Sequence, residues 1–198
     1  IELSSKGVEK RFPILNVKIQ SYPFEKERLN VDKKHVELSE EDIERWKSEK
    51  AELKKVYSSL SLHRAYFKNP FQKPLESKIT SDYGKERIFN NQKSSWHSGV
   101  DFRAWYDTPI PTANRGKVVF TGHLFFNGKT VIVDHGLGIA PLYCHLKKIK
   151  AQKGEIVSQG AIIGLAGNTG RSTAPHLHWG VRVQGHWING LSLIEQGI

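Results

Sequence analysis

The chain has 198 residues, of which 38% are hydrophobic and 25% charged; it is too apolar to be disordered and long enough for one good-sized domain with a small appendage. No stretch approaches the roughly 18–20 apolar residues needed to cross a bilayer, so no membrane-spanning helix is expected. The formal charge of +10 favours polyanionic or carboxylate-rich partners, but no RRM, KH or zinc-finger pattern is present, and nucleic acid is not expected among them.

The chain starts at Ile1, as expected of a processed product whose export signal has been removed. Residues 1–38 read as short extended pieces, with Val17 and Ile19 alternating with polar neighbours until Tyr22-Pro23 breaks the run. This is too little sequence to make its own core. From Ser39 the pattern changes. Ser39 is a good N-cap, Glu40, Glu41 and Asp42 load the first turn with negative charge, and Ile43, Trp46, Leu53, Val56 and Leu60 recur at helical spacing. An amphipathic helix over 40–58 is predicted. Asn69-Pro70 and Lys73-Pro74 then mark a linker.

Beyond residue 74 the chain is β-rich. Lys117–Thr121, Thr130–Asp134, Leu142–Leu146 and His176–Val183 read as short strands, and glycines at 154, 160, 164, 167 and 170 supply turns or bulges between them. No helical pattern interrupts them, so a mainly β, antiparallel domain is expected. The single cysteine, Cys144, cannot form an internal disulfide; alternating with Leu142 and Leu146, it reads as a small buried hydrophobe.

Four of the nine histidines fall in three compact clusters. In His97-Ser98-Gly99-Val100-Asp101 the imidazole and the carboxylate are four residues apart and can converge on one cation in a strand or a helix. In His176-Leu177-His178 the spacing of two decides the geometry, because such residues share a face only on a strand. There Leu177, Trp179, Val181 and Val183 should face the core, and both imidazoles the open side, with Gly180 leaving room for a ligand backbone. Two neighbouring outward histidines are poorly explained by packing and point to metal binding or catalysis. In Leu142-Tyr143-Cys144-His145-Leu146 the same alternation puts the two leucines and Cys144 inward, and Tyr143 and His145 outward.

These motifs resemble those of the M23 zinc metallopeptidases, the lysostaphin- or LytM-type peptidoglycan endopeptidases. The family pattern appears in order: His97 to Asp101; Tyr143-Cys144-His145-Leu146; and Gly167-Asn168-Thr169-Gly170 leading into Pro175-His176-Leu177-His178. Phe125-Phe126-Asn127-Gly128 and the turns Gly154-Glu155 and Gly160-Ala161 look like the Gram-negative branch. The resemblance is strong over 70–198 and looser over 15–60. It implies a LytM/M23-type (duplicated hybrid motif-like) antiparallel β-sheet with an open groove. Three parts are implied: 1–38 as the remnant of an immunoglobulin-like module, 39–69 as a linking helix, and 70–198 as the peptidase domain.

By the same resemblance, His97, Asp101 and His178 bind one Zn2+ per chain, and His145 and His176 are the catalytic pair, their division of labour left open. Two imidazoles and a carboxylate are a common catalytic zinc set. The implied reaction is hydrolysis of peptidoglycan cross-links at D-Ala–diaminopimelate, with glycine bridges as the other substrate and a non-catalytic regulator of cell-wall amidases as the competing role. Stem peptides are the expected partners, the protein a monomer, and its location periplasmic or secreted. Ala174 stands where the family often has glycine, and Asn189-Gly190 where it has Asp/Asn-Pro. His123 and His135 read as structural or rim residues; His35, His63 and His186 as surface or packing.

Overall fold

The computed structural model describes residues 2–5, 8–11 and 22–198; the expected alternation at Val17 and Ile19 lies outside them. Helix α1 spans Glu40–Ser58, as its end signals predict, with the Ser39 hydroxyl accepting from the Asp42 amide at 3.1 Å. Its Glu49 carboxylate accepts from the Phe125 amide at 2.9 Å, which docks the helix. Leu53, Val56, Tyr57 and Leu60 pack on Phe120, Leu124, Ile132, Leu142 and Cys144. Burying side chains of this size contributes roughly 1.5–3 kcal/mol each. The helix therefore completes a core.

The strands run β1 (Glu2–Ser5), β2 (Val8–Arg11), β3 (Lys26–Leu29), β4 (Ile79–Ser81), β5 (Glu86–Phe89), β6 (Lys93–Trp96) and β7 (Gly99–Arg103). They continue with β8 (Pro109–Pro111), β9 (Gly116–Leu124), β10 (Gly128–Asp134), β11 (Ile139–Ile149) and β12 (Ile156–Val157). The last three are β13 (Ile162–Ala166), β14 (His176–Val183) and β15 (His186–Ile188). The main sheet has the order β12-β9-β10-β11-β14-β7-β4, with β13 joining β11 to β8 and β15 flanking β14. All its pairs are antiparallel. β3, by contrast, lies parallel to β5 in a small sheet with β6, and β1 pairs with β2.

One face of the main sheet carries Val100, Phe102, Val131, Val133, Tyr143, Leu177, Trp179 and Val181 in the larger core. The other face is covered by α1 at one end and carries the histidine clusters at the other. Leu177, Trp179 and Val181 are buried as expected. Two expectations fail. Tyr143 is fully buried, not outward, and its hydroxyl accepts from the Ala113 amide at 2.9 Å, because the central strand β11 is covered on both faces. The β domain also ends in a short helix, α2 (Leu191–Glu195), which buries Leu193; five residues are too few to show a helical period. The Pro-marked stretch after α1 is packed against the sheet, with Phe71 buried beside Phe67 and its amide bonded to the Ile198 carbonyl.

His135 proves to be a core residue. Its Nδ1–H donates to the Arg115 carbonyl at 2.9 Å, Phe71 packs edge-on at 5.0 Å, and Nε2 is buried without a partner. Burial lowers its pKa from 6.5 to about 4. The folded state thus binds the proton later than the unfolded chain, so this contribution is intact above pH 6.5 and lost as pH falls toward 4. At full protonation the loss is about 3 kcal/mol. His135→Phe should be less stable at pH 7 but lose stability less steeply between pH 6.5 and 4, read from urea midpoints across that range. Parallel wild-type and variant curves would refute this.

Candidate metal centre

The register across three strands assembles the centre. His178 on β14 lies opposite Asp101 on β7 and Cys144 on β11, so His178 and Asp101 project side by side from one face. His97, two residues before β7, closes the group. Its Nδ1–H donates to the Asp82 carbonyl at 2.7 Å, turning Nε2 inward. His97 Nε2 lies 3.0 Å from both Asp101 Oδ1 and His178 Nδ1, and these two atoms are 2.8 Å apart. Gly99 permits the close approach, since a Cβ there would lie 2.6 Å from the Trp179 carbonyl oxygen and 2.8 Å from His178 Cε1.

The electrostatics favour an anionic carboxylate beside a neutral His178. Burial of Asp101 opposes ionisation, but the close contacts with His178 and His97 outweigh it and hold the carboxyl well below its usual range. Burial lowers His178 to about 4, with the Asp101 bond acting the other way. The outer oxygen, Asp101 Oδ2, accepts from Arg87 Nη2. Arg87 Nε in turn donates to Glu27 on β3 at 3.1 Å, and the Ser81 hydroxyl donates to the same carboxylate oxygen at 2.9 Å. Oδ2 is thus engaged and Oδ1 is left facing the two imidazoles.

His145 reaches the centre by a device absent from the alternation pattern. It adopts φ 59°, and β10 and β11 slip by one residue beside it, with Lys129 opposite Leu146 but Val131 opposite Tyr143. This bulge sends Leu146 into the same core as Tyr143 and turns His145 to the opposite face. Such backbone outliers cost about 1–3 kcal/mol and cluster at working sites. Its Nδ1–H donates to the Thr169 carbonyl at 2.7 Å, and burial, then the neighbouring His176 and His178, depress its pKa strongly.

His176 donates from Nδ1 to the Ala174 carbonyl at 2.8 Å, and its ring lies 4.7 Å from that of His145. With Nδ1–H on a carbonyl, each ring in its neutral form keeps its Nε2 lone pair as an acceptor. His176 Nε2 stands 3.7 Å from Asp101 Oδ1. His178 does not face open solvent as its strand pattern predicts; it is buried, and His176 half-buried. Arg87, Glu27 and the Thr169 and Asp82 carbonyls carry no signal in the sequence, since each acts through a contact between distant segments.

The three convergent atoms can hold a metal ion. Ligand bonds of about 2.0–2.1 Å in a tetrahedral zinc site put ligand atoms roughly 3.3 Å apart, a few tenths of an ångström wider than here. Above them lies a groove of about 440 Å3 walled by Trp96, Trp105, Phe126, Arg171 and His176.

Comparison with known proteins gives the family. The family model described as "Peptidase family M23" matches residues 95–190. The solved catalytic domain of lysostaphin, an antimicrobial peptidase from Staphylococcus simulans, is 32% identical, with a TM-score of 0.51; 58% of this chain covers 86% of that one. A zinc-containing peptidase from Vibrio cholerae is 32% identical with a TM-score of 0.55, over 63% of this chain and 39% of that one. The peptidoglycan DD-endopeptidase ShyA of Vibrio cholerae is 37% identical over 132 residues, 66% of this chain, and the match spans 30% of that protein's length. The chain belongs to peptidase family M23.

Cys144 sits behind the centre, buried, with Asn127 Nδ2 donating to its sulfur at 3.3 Å. Burial pushes its thiol up to about 12. At pH 8 a disulfide reagent should find no reactive thiol in the folded protein and one per chain in denaturant. Rapid labelling of the native state would contradict this burial.

Proposed function

We propose that the chain is a zinc-dependent endopeptidase that hydrolyses peptide cross-links of bacterial peptidoglycan. The observation that carries it is the convergence of His97 Nε2, Asp101 Oδ1 and His178 Nδ1 within 3.0 Å, beside two further imidazoles. In this reading those three residues are the zinc ligands, one ion per chain, and His145 and His176 the catalytic pair. Residues 70–198 are the peptidase domain, residues 39–69 provide the helix that buttresses it, and residues 1–38 belong to a preceding module. The match to a peptidoglycan DD-endopeptidase supports D-Ala–diaminopimelate as the bond cut. In this reading the protein acts outside the cytoplasm, in the periplasm or secreted, and as a monomer. The complete five-residue set argues against a non-catalytic regulator.

When bound, zinc polarises the scissile carbonyl and brings the pKa of the attacking water toward about 7. The chain's own residues do the rest. Nε2 of His145 and Nε2 of His176 are acceptors, so together they orient the two hydrogens of a water in the groove. His176, nearer the carboxylate, takes the proton as general base and passes it to the leaving nitrogen. The Nδ1–H bonds to Thr169 and Ala174 keep both rings aimed through this transfer. Arg87 occupies Asp101 Oδ2, leaving Oδ1 as the oxygen that would hold the metal.

Digestion of purified sacculi, followed by muropeptide separation, should show cross-linked dimers disappearing. Dimers that survive active, zinc-loaded protein would overturn the assignment of the bond. His178→Ala should lose zinc, whereas His176→Ala should retain it yet lose turnover by about 10²–10⁴-fold. Metal content after dialysis separates the two, and equal zinc loss would break the division of roles.

A further inference from the structure

Three arginines line the groove; Arg103 is exposed, and the partners of the other two differ. Arg87 is spent on Glu27 and Asp101. Arg171 has no ion pair and no side-chain hydrogen bond among the described residues, although it is only partly exposed. Its guanidinium carbon lies 4.0 Å from the centroid of the Phe89 ring and 4.5 Å from that of Phe126. Stacking of this kind offsets part of the cost of withdrawing a cation from water. Contacts with aromatic rings do not consume its N–H donors, which stay available to an acceptor. The planar fork then suits a carboxylate, which it can grip with two parallel bonds.

The guanidinium is also fixed in place relative to the chemistry. Arg171 opens the loop Arg171–Pro175, which lines the groove and leads directly into His176. The loop is pinned to the β9–β10 turn. The Arg171 amide donates to the Phe126 carbonyl at 2.8 Å, and a Cβ at Gly170 would lie 2.3 Å from the Gly128 nitrogen. Ser172 ties the loop's far end, donating to the Ala174 carbonyl that also receives the His176 proton. Burial, and then the charge of Arg87, lower the Arg171 pKa to about 10, so it stays a cation at neutral pH with no ionic partner among the described residues.

We infer that Arg171 is the specificity determinant of the groove, binding a free carboxylate of the peptide substrate beside Phe89 and Phe126. The inference rests on the peptidase reading above and deepens it: the substrate must be an acidic peptide, and amidating its carboxylate must weaken binding. Arg171 acts on the substrate itself and has no part in holding metal.

The test compares two synthetic cross-linked peptides with a D-Ala–diaminopimelate bond, one with its carboxylates free and one with them amidated. Zinc-loaded wild type should favour the free acid by about 10–100-fold in kcat/KM, mainly through KM. In Arg171→Gln that ratio should collapse toward one, and in Arg171→Lys, which keeps the charge without the fork, it should be intermediate. An unchanged ratio in Arg171→Gln, with zinc content and melting temperature as in wild type, would overturn the inference. If wild type cleaves neither peptide, the peptidase reading fails. The ratio of dissociation constants for the two peptides, wild type against variant, then decides the role of Arg171 by the same criterion.

Discussion

A carboxylate withdrawn from water must be met by donors or give up its charge, and much of this molecule is arranged around meeting that demand at Asp101. One oxygen faces His97 and His178 and the other meets Arg87. Each partner is delivered by a different part of the chain. His97 comes from the approach to β7, His178 from the neighbouring strand and Arg87 from the small sheet that includes β3. The centre therefore exists only when the β7–β14 register, the β5–β6 hairpin and the contact with β3 are all formed. Glu27 lies outside the proposed peptidase domain, yet it holds Arg87 and so steadies the carboxylate from the N-terminal side.

The second organising feature is the bulge at His145. A regular β11 would put this imidazole in the core beside Tyr143. The left-handed backbone at one residue instead turns it across the sheet to stand 4.7 Å from His176. Histidine tolerates this conformation better than bulky or branched residues do. The packing that holds it there is extensive: α1 and the larger core cover β11 on both faces, and the His145 amide is bound by the Asn127 carbonyl. Strain at the site is thus stabilised by burial elsewhere in the sheet.

Legibility in the sequence followed the range of the forces involved. Helix α1 could be read to the residue because its cap, acidic first turn and apolar spacing are all local. β14 could be read equally well, since one of its faces is apolar and the other bears histidines, glycine and arginine. β10 and β11 were underestimated in length and sidedness. Thr130 to Asp134 and Ile139 to Leu146 are buried throughout, so alternation gives no clue to which face meets which neighbour. Arg171 lay in plain view within Gly170-Arg171-Ser172, but its role depends on two aromatic rings, one 45 and one 82 residues away along the chain.

From sequence alone, the residue types of the candidate centre and the pairing of His176 with His178 on one strand face were determined, because a period of two is a property of the local backbone. Tertiary structure alone decided that His178, Asp101 and His97 meet at single atoms, that His145 crosses to their side, and that His178 is buried. Those outcomes depend on inter-strand register and on one inserted residue in a ladder. Both are set by hydrogen bonds and packing between segments tens of residues apart, to which a local pattern is blind.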